Sequence, residues 1–159
     1  MAAIAIGLPA INRTASTGSG RTWISKDTPA NASGIITDVE IWCLASISGC
    51  KVGTFYVVSG TTLKCRDSAD IGDVPSGAKR TFSGLSIAVE AGDLIGTFYS
   101  DGNIELDPSG HAGIWWTWGE HCDPNDQAVY SQDAGDGISL HGIGEEPAAL
   151  GRSQAIIIG

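Results

Sequence analysis

Apolar and polar residues alternate along much of this chain with the period of two that is typical of β-strands. In the segment GIITDVEIWCLA, the odd-numbered residues from Ile35 to Cys43 fall on one face of an extended strand, and the even-numbered residues from Ile36 to Trp42 fall on the other. The same strand character recurs in RTWISK, KVGTFYVVS, TTLKCRD, KRTFSG, LSIAVE, DLIGTFYS, GIWWTWG, AVYS, GISLHG and QAIIIG.

Helical periodicity is almost absent, because no stretch of a dozen residues keeps apolar positions at helical spacing without a Gly or Pro inside it. The chain has 22 glycines, many of them in turn sequences such as EAGD, SDGN and DAGDG. A parallel sheet would need crossover helices that this sequence does not offer. We therefore predict an all-β fold, an antiparallel, jelly-roll-like β-sandwich of about ten short strands with little or no helix, in one domain spanning residues 1–159.

The two ends of the chain raise the question of how apolar strands are paired. Residues 1–20 are expected to form an N-terminal arm, and the segment Gly142–Arg152 a helical turn or an extended connector. Within residues 142–159 this connector leads to a last strand, Ala155–Ile158, which is apolar and β-branched. It must pair either within its own sheet or with the sheet of a neighbouring subunit.

The net charge limits the classes of binding partner, and the N-terminal sequence bears on where the protein is located. The chain has 9 Lys and Arg against 18 Asp and Glu, so its net charge of -9 repels nucleic acid and anionic membrane surfaces. No recognisable signal peptide is present, because the first residues lack a basic region and the apolar stretch is broken by Gly7 and Pro9. An extracellular or virion location is expected, reached after processing or by another route of release.

Four cysteines occur without the spacing of a zinc or thioredoxin motif. The leading interpretation is two disulfides. Cys50 with Cys65 would close a short loop, worth about 3 kcal/mol in the chain-entropy model, and Cys43 with Cys122 would join distant segments. The alternative is four buried free thiols, since free cysteine is among the most buried residue types.

The run from Lys51 to Ser109, followed by GHAGIWW, contains the pieces FSGLSI, AGDLIG and GIWW. With these pieces it resembles β-sandwich proteins of bacteriophage virions and related environmental sequences, over about two thirds of the chain. The resemblance implies a structural or surface-display role, with no catalytic residues to carry over.

The densest aromatic feature is GIWWTWGEHCDPND, which contains Trp115, Trp116 and Trp118. In a strand, Trp116 and Trp118 share one face and Trp115 lies on the other. One interpretation places these indoles in the core and in a subunit contact. The other is an exposed platform for sugar rings, with carboxylates nearby.

Acidic residues and histidines are candidates for metal ligands. One group of acidic residues consists of Asp101, Glu105 and Asp107, and a second group of Asp123, Asp126, Asp133 and Asp136. Both groups lie in sequence rich in Gly and Asn, which suits a calcium site. Solvated turns would explain the same pattern. His111, His121 and His141 with Cys122 match no compact transition-metal motif, and surface or turn histidines are the simpler interpretation. We expect no cofactor, with calcium as the one alternative.

No motif of an enzyme is visible: the chain lacks a GxSxG elbow, a P-loop, a dinucleotide fingerprint and HExxH. Glu40, Glu105 and Asp107 could act as glycosidase carboxylates only at separations that a sequence does not show. We predict a non-enzymatic structural protein of an extracellular particle, such as a capsid decoration, a fibre-associated domain or a filament subunit, that associates with its own copies or with a scaffold. The alternative is a lectin-like carbohydrate-binding module that uses the tryptophans.

Overall fold

A computed structural model describes residues 3–147, and in that part the chain is built from strands and turns, with no helix. The strands are β1 (Ala3–Gly7), β2 (Ala15–Ser16), β3 (Arg21–Ser25), β4 (Gly34–Ser59), β5 (Thr62–Val74), β6 (Lys79–Phe82), β7 (Ile87–Val89), β8 (Leu94–Phe98), β9 (Asp101–Asp107), β10 (Ile114–Trp118), β11 (Gln127–Val129), β12 (Ser131–Asp133), β13 (Gly137–Ile138) and β14 (Leu140–Glu145). All their pairings are antiparallel, so the predicted all-β antiparallel sandwich is confirmed. The described residues include no helix long and apolar enough to cross a membrane.

The 26-residue strand β4 runs through both sheets of the sandwich. Its first part, as far as Trp42, lies between β14 on one edge and β6 and β7 on the other, and with β1 these strands form sheet 1. Its last part, from Lys51, lies between β8 and β5 in sheet 2, whose order is β12-β10-β3-β8-β4-β5-β11. A shorter ribbon of β2, β9 and β13 joins β4 between the two parts.

The passage of β4 from one sheet to the other is a local irregularity of the backbone. Register shifts interrupt its pairing with β9 and β5 between Cys43 and Lys51, and Gly49 has a φ of 62°. Bulges of this kind bend a strand and increase its twist. A glycine adopts this left-handed conformation without the steric cost that a Cβ would add.

Two apolar cores lie on opposite faces of sheet 2. The principal core fills the space between the sheets and includes Ile36, Ile41, Trp23 and Ile95. A second core, on the other face of β3 and β10, contains Ile24, Phe55, Leu63, Cys65, Leu94, Trp115, Cys122 and Tyr130. Sheet 2 is therefore covered on both sides over part of its area.

The N-terminal segment is part of the fold rather than a free arm, which corrects the expectation for residues 1–20 within the described range. Strand β1 pairs with β14 of the same chain, and the side chains of Ile4 and Ile6 are buried. The outer edge of β1 is satisfied by Asn31, whose Oδ1 accepts from the Ala5 amide (2.8 Å) and whose Nδ2 donates to the Ala3 carbonyl (2.9 Å). The Asn31 amide thus takes the place of another strand and blocks further pairing at this edge.

The predicted alternation of buried and exposed residues at the start of β4 is correct only after a β-bulge at Thr37. Val39, Ile41 and Cys43 are buried on the core face, as predicted. Ile35, however, is exposed while Ile36 is buried, because the register with β14 shifts where Asp38 pairs with Ile143 and Ile36 pairs with Gly144. Thr37 is the extra residue of this bulge, and one extra residue reverses the faces of everything that precedes it.

The segment Gly142–Arg152 also differs from its prediction at its start. Residues up to Glu145 continue β14 and pair with both β1 and β4, so this part is neither a helical turn nor a connector. The predicted last strand, Ala155–Ile158, lies outside the described residues.

The predicted disulfides are absent, and all four cysteines are buried free thiols. Cys50 lies opposite Gly72, whereas Cys65 lies opposite Phe55. The two cysteines are therefore separated by five residues of extended strand, roughly 16 Å, against the limit of about 7 Å between Cα atoms in a disulfide. Cys43 belongs to the principal core and Cys122 to the second core, so this pair is also excluded.

We expect these four thiols to be unreactive in the native protein. Burial raises the pKa of Cys43, Cys50 and Cys65 to about 12, and it raises the pKa of Cys122 well above its usual value. Because the thiolate is the reactive form, we expect no titration by a disulfide reagent at about pH 8, and four equivalents after denaturation without reductant. A denatured sample that yields thiols only after reduction would show that disulfides are present.

Candidate binding surface

The pairing of β3 with β10 places one cation and three indoles on the same face of sheet 2. Trp116 lies opposite Trp23, and Trp118 lies opposite Arg21. Because alternate residues of a strand share a face, these four side chains form a two-by-two block. We call this block, Arg21, Trp23, Trp116 and Trp118, the tryptophan–arginine surface.

The Arg21 guanidinium is held among the three rings. Its Cζ atom lies 4.3 Å from the ring centroid of Trp118, 4.9 Å from that of Trp23 and 5.6 Å from that of Trp116. These distances are within the range of cation–π attraction, for which tryptophan is the strongest partner. Trp116 and Trp118 meet edge to face with centroids 6.1 Å apart, and Trp23 and Trp116 are tilted by 42° at the same distance.

Exposure of the indoles increases steadily from the core to the outside. Trp23 is buried in the principal core, Trp116 is half-buried against it, and Trp118 is 63% exposed. Since Arg21 covers one face of the Trp118 ring, the accessible area belongs to its opposite face and its edge. The surface thus presents an indole whose ring is contacted by two half-buried neighbours, Arg21 and Trp116.

Trp115 does not belong to this surface. It points to the opposite face of β10, as the alternation predicts, and is buried in the second core, with Lys26 Nζ 4.4 Å from its ring centroid. The predicted platform of Trp115, Trp116 and Trp118 is therefore reduced to one exposed ring, Trp118, and its half-buried neighbour. Arg21 and Trp23 take the remaining places, and sequence reasoning did not connect them with the tryptophan cluster.

Two hydrogen-bond donors in this surface have no acceptor. Arg21 Nε and Trp116 Nε1 are both buried without a partner, and they are the only buried side-chain nitrogen or oxygen atoms in this condition within residues 3–147. Arg21 also lacks a carboxylate within ion-pair distance in the same range. A guanidinium without hydrogen bonds or counter-ion is unusual, because buried polar groups are nearly always paired.

The loop after Trp118 carries a group of acidic side chains. His121 Nε2 lies 3.0 Å from the Trp118 carbonyl oxygen. Glu120, Asp123 and Asp126 follow, and they are the only group of three or more potential metal ligands within 4.8 Å of one another in the described range. Lys51 Nζ lies 2.7 Å from Asp123 Oδ1, and this hydrogen bond lowers the pKa of Asp123. A cation of the chain itself therefore already neutralises part of this cluster.

The predicted calcium ligands Asp101, Glu105 and Asp107 do not come together, which corrects that prediction. They lie along strand β9 rather than in a loop. Glu105 is buried and accepts a hydrogen bond from the Arg13 amide (2.7 Å), while Asp107 Oδ2 lies 2.7 Å from Arg13 Nη1. The buried Arg13 side chain supplies the positive charge that was assigned to calcium. Asp101 is exposed at the start of the strand.

The three histidines are likewise separate. His111 Nε2 lies 3.0 Å from Asp107 Oδ2, His121 contacts the Trp118 carbonyl, and His141 Nδ1 lies 3.3 Å from the Gly7 carbonyl. Each ring is engaged in its own local hydrogen bond. His111 and His121 lie outside the strands, whereas His141 is a half-buried residue of β14 rather than a turn residue.

Comparison with known proteins adds no identity to this geometry. No protein-family model, no curated protein and no solved structure matches this chain.

The contacts of Asp107 predict a specific dependence of stability on pH. Its pKa is lowered, first by the hydrogen bond with His111 and then by Arg13. A lowered pKa in the folded state gives stability that is present above the usual value of 3.8 and is lost as pH falls through the lowered pKa. We expect the Tm of the wild type to fall more steeply than that of Asp107→Asn between about pH 5 and about pH 2.5.

The control for this experiment is Asp101→Asn, because Asp101 lies on the same strand but makes none of these contacts. It should keep the pH dependence of the wild type. Identical Tm profiles for the wild type and Asp107→Asn would contradict the assignment.

Proposed function

We propose that this protein is a non-enzymatic, lectin-like domain that binds carbohydrate through Trp118. The observation that carries the proposal is the 63% exposure of an indole whose ring is fixed by Arg21 and Trp116. Sugar-binding sites use flat aromatic faces in this way, because the apolar face of a pyranose ring packs on an indole. A ligand that stacks on Trp118 would therefore bury apolar area on both partners.

The rigidity of the ring favours binding. Arg21, Trp23 and Trp116 lie on paired strands, so Trp118 loses little rotational freedom when a ligand arrives. The strand β3 is itself flanked by β8 and β10, which makes its backbone an interior part of sheet 2. A surface built on strands of this kind holds its geometry more tightly than one built on loops.

Polar groups for sugar hydroxyls follow Trp118 directly in the chain. His121 is half-buried beside the Trp118 carbonyl, and Glu120 has 28% of its side chain exposed. Such groups fix the orientation of a ligand, whereas the indole contributes contact area.

The carboxylates considered for glycosidase chemistry support a non-enzymatic role. Glu40 lies in sheet 1 at 3.7 Å from Lys79, and Glu105 is buried and hydrogen-bonded to the Arg13 amide. Asp107 Oδ2 lies 2.7 Å from Arg13 Nη1. All three carboxylates are engaged in structural contacts, and none of them lies on the strands that form the tryptophan–arginine surface.

Replacing Trp118 tests the proposal directly. We expect Trp118→Ala to weaken binding of a glycan selected from an array at least about tenfold, because the stacking surface is removed. The control is Leu44→Ala, which truncates a side chain of similar exposure (59%) in β4. Binding is followed by calorimetry. Unchanged affinity in Trp118→Ala, or no binding by the wild type on a broad array, would refute the proposal.

A second proposal is a structural role in an extracellular particle, such as a phage capsid decoration, a fibre-associated domain or a filament subunit, through association with its own copies. The observation that favours it is a group of exposed valines, Val57, Val58 and Val129, around the tip of the β4–β5 hairpin. Val57 and Val58 point to opposite faces of the strand, so these valines offer apolar area on both faces of one end of sheet 2, and exposed apolar area is typical of contact surfaces. This role fits an extracellular or virion location, and a particle protein could carry the glycan-binding surface as well.

The valine group predicts self-association that a charge would abolish. We expect the wild type to form oligomers at high concentration in sedimentation experiments and Val129→Asp to sediment as a monomer, because a carboxylate cannot be desolvated in an apolar contact. Ala91→Asp adds the same charge at an exposed turn and should leave association unchanged. A wild type that stays monomeric, or an associating Val129→Asp, would argue against this role.

A further inference from the structure

The ligand class of the tryptophan–arginine surface can be inferred from its unpaired charge. No acidic side chain of the described residues lies within ion-pair distance of Arg21, and the Nε atom of Arg21 is buried without a hydrogen-bond acceptor. A guanidinium has five N–H donors and prefers carboxylate or phosphate partners that it can hold with two parallel hydrogen bonds. Arg21 is only half-buried, so part of its side chain faces solvent, where a ligand could reach it.

Lys26, Lys64 and Arg80 also lack a carboxylate within 4.0 Å, but Arg80 donates to the Pro75 and Ser76 carbonyls, so Arg21 is the only arginine of residues 3–147 whose side chain has neither a hydrogen bond nor an ion pair. The chain has 18 acidic residues, and Arg13, Arg66, Lys51 and Lys79 each lie within 4.0 Å of at least one carboxylate oxygen. Glu120 is only two residues from Trp118, yet its carboxylate is directed elsewhere. Its Oε2 accepts from the Cys122 amide (2.5 Å), and its Oε1 lies 3.6 Å from Lys51 Nζ.

A second observation at the same surface also indicates a missing acceptor. Trp116 Nε1 is buried and unpartnered, and the Trp116 ring contacts both Trp118 and Arg21. Two donors without acceptors therefore belong to the same strand pair, β3 and β10. Unsatisfied donors of this kind cost free energy in the free protein. Because both nitrogen atoms are buried, a ligand would have to displace the surrounding side chains to supply them with acceptor oxygens.

We propose that this surface binds an acidic carbohydrate, a pyranose that carries a carboxylate, and this inference rests on the proposed function. The sugar ring packs on the exposed face of Trp118, and its carboxylate accepts hydrogen bonds from the Arg21 guanidinium. The indole supplies contact area for any pyranose, whereas Arg21 selects those with a negative charge.

The test compares two ligands that differ only in charge. Trigalacturonic acid and its fully methyl-esterified form share the same rings, but the ester has no carboxylate. In calorimetric titrations at low salt we expect the wild type to bind the acid about tenfold or more tightly than the ester, with the difference shrinking as salt is added. Arg21→Met, which keeps a long apolar side chain between the rings, should bind both ligands with the affinity that the wild type shows for the ester.

Variants and controls separate the possible failures. Trp118→Ala should lose both ligands, and Arg80→Met, which removes a guanidinium from sheet 1, should behave as the wild type. Circular dichroism and Tm measurements establish that Arg21→Met is folded, and Arg21→Lys, which keeps the charge, should retain part of the preference for the acid. Equal binding of acid and ester would overturn the acidic-ligand inference while leaving carbohydrate binding at Trp118 intact. Binding of neither ligand would overturn the inference as well, and a flat response on a broad glycan array would remove the proposed function with it.

Discussion

The whole fold depends on hydrogen bonding along both edges of β4. This strand pairs with six others, and through them it holds sheet 1, sheet 2 and the ribbon around β9 in one arrangement. Its bend between Cys43 and Lys51 sets how the sheets face each other, because the same backbone leaves one sheet and enters the other there. A strand that could not bend would leave the principal core open on one side.

The geometry of the tryptophan–arginine surface also depends on the pairing of β4. The last part of β4 pairs with β8, β8 pairs with β3, and β3 pairs with β10, so the register passes from strand to strand as far as Trp118. A slip of one residue between β3 and β10 would exchange Trp115 with Trp116 and place the wrong indole in the second core. Close packing around Gly96 holds β3 and β4 on either side of β8, since a Cβ there would lie 2.7 Å from a Phe55 ring atom and 2.8 Å from an Ile24 side-chain atom.

Much of the fold was predictable because alternation reports burial wherever a strand is regular. The core face of Val39 and Ile41 and the opposite directions of Trp115 and Trp116 follow from the sequence for this reason. The bulge at Thr37 was not predictable, because inserting one residue in a pairing leaves no mark on the composition of the strand. The disulfides failed for a related reason: a sequence shows how far apart two cysteines are along the chain, but the register of β4 with β5 decides their distance in space.

In the candidate site, too, some features could be predicted from the sequence and others depend on strand pairing. The exposed tryptophan lay in a sequence cluster that could be noticed, whereas Arg21 lies about a hundred residues earlier and becomes its neighbour only through strand pairing. Arg13 was missed in the same way, and its side chain explains the acidic residues of β9 better than an added metal does.

The net charge of -9 repels an acidic ligand at long range, but binding at the tryptophan–arginine surface depends on the charges close to it. At physiological ionic strength, interactions between exposed charges are screened beyond about 8 Å. Most acids near the other cations are already paired with them, as Asp93 is with Arg66 through two hydrogen bonds of 2.6 and 3.0 Å. No carboxylate of the described residues lies within ion-pair distance of Arg21, and the acids that follow Trp118 in the chain are held by Lys51 and by backbone amides. An anion that reaches Trp118 therefore meets an unpaired cation first, whatever the sum over the distant surface.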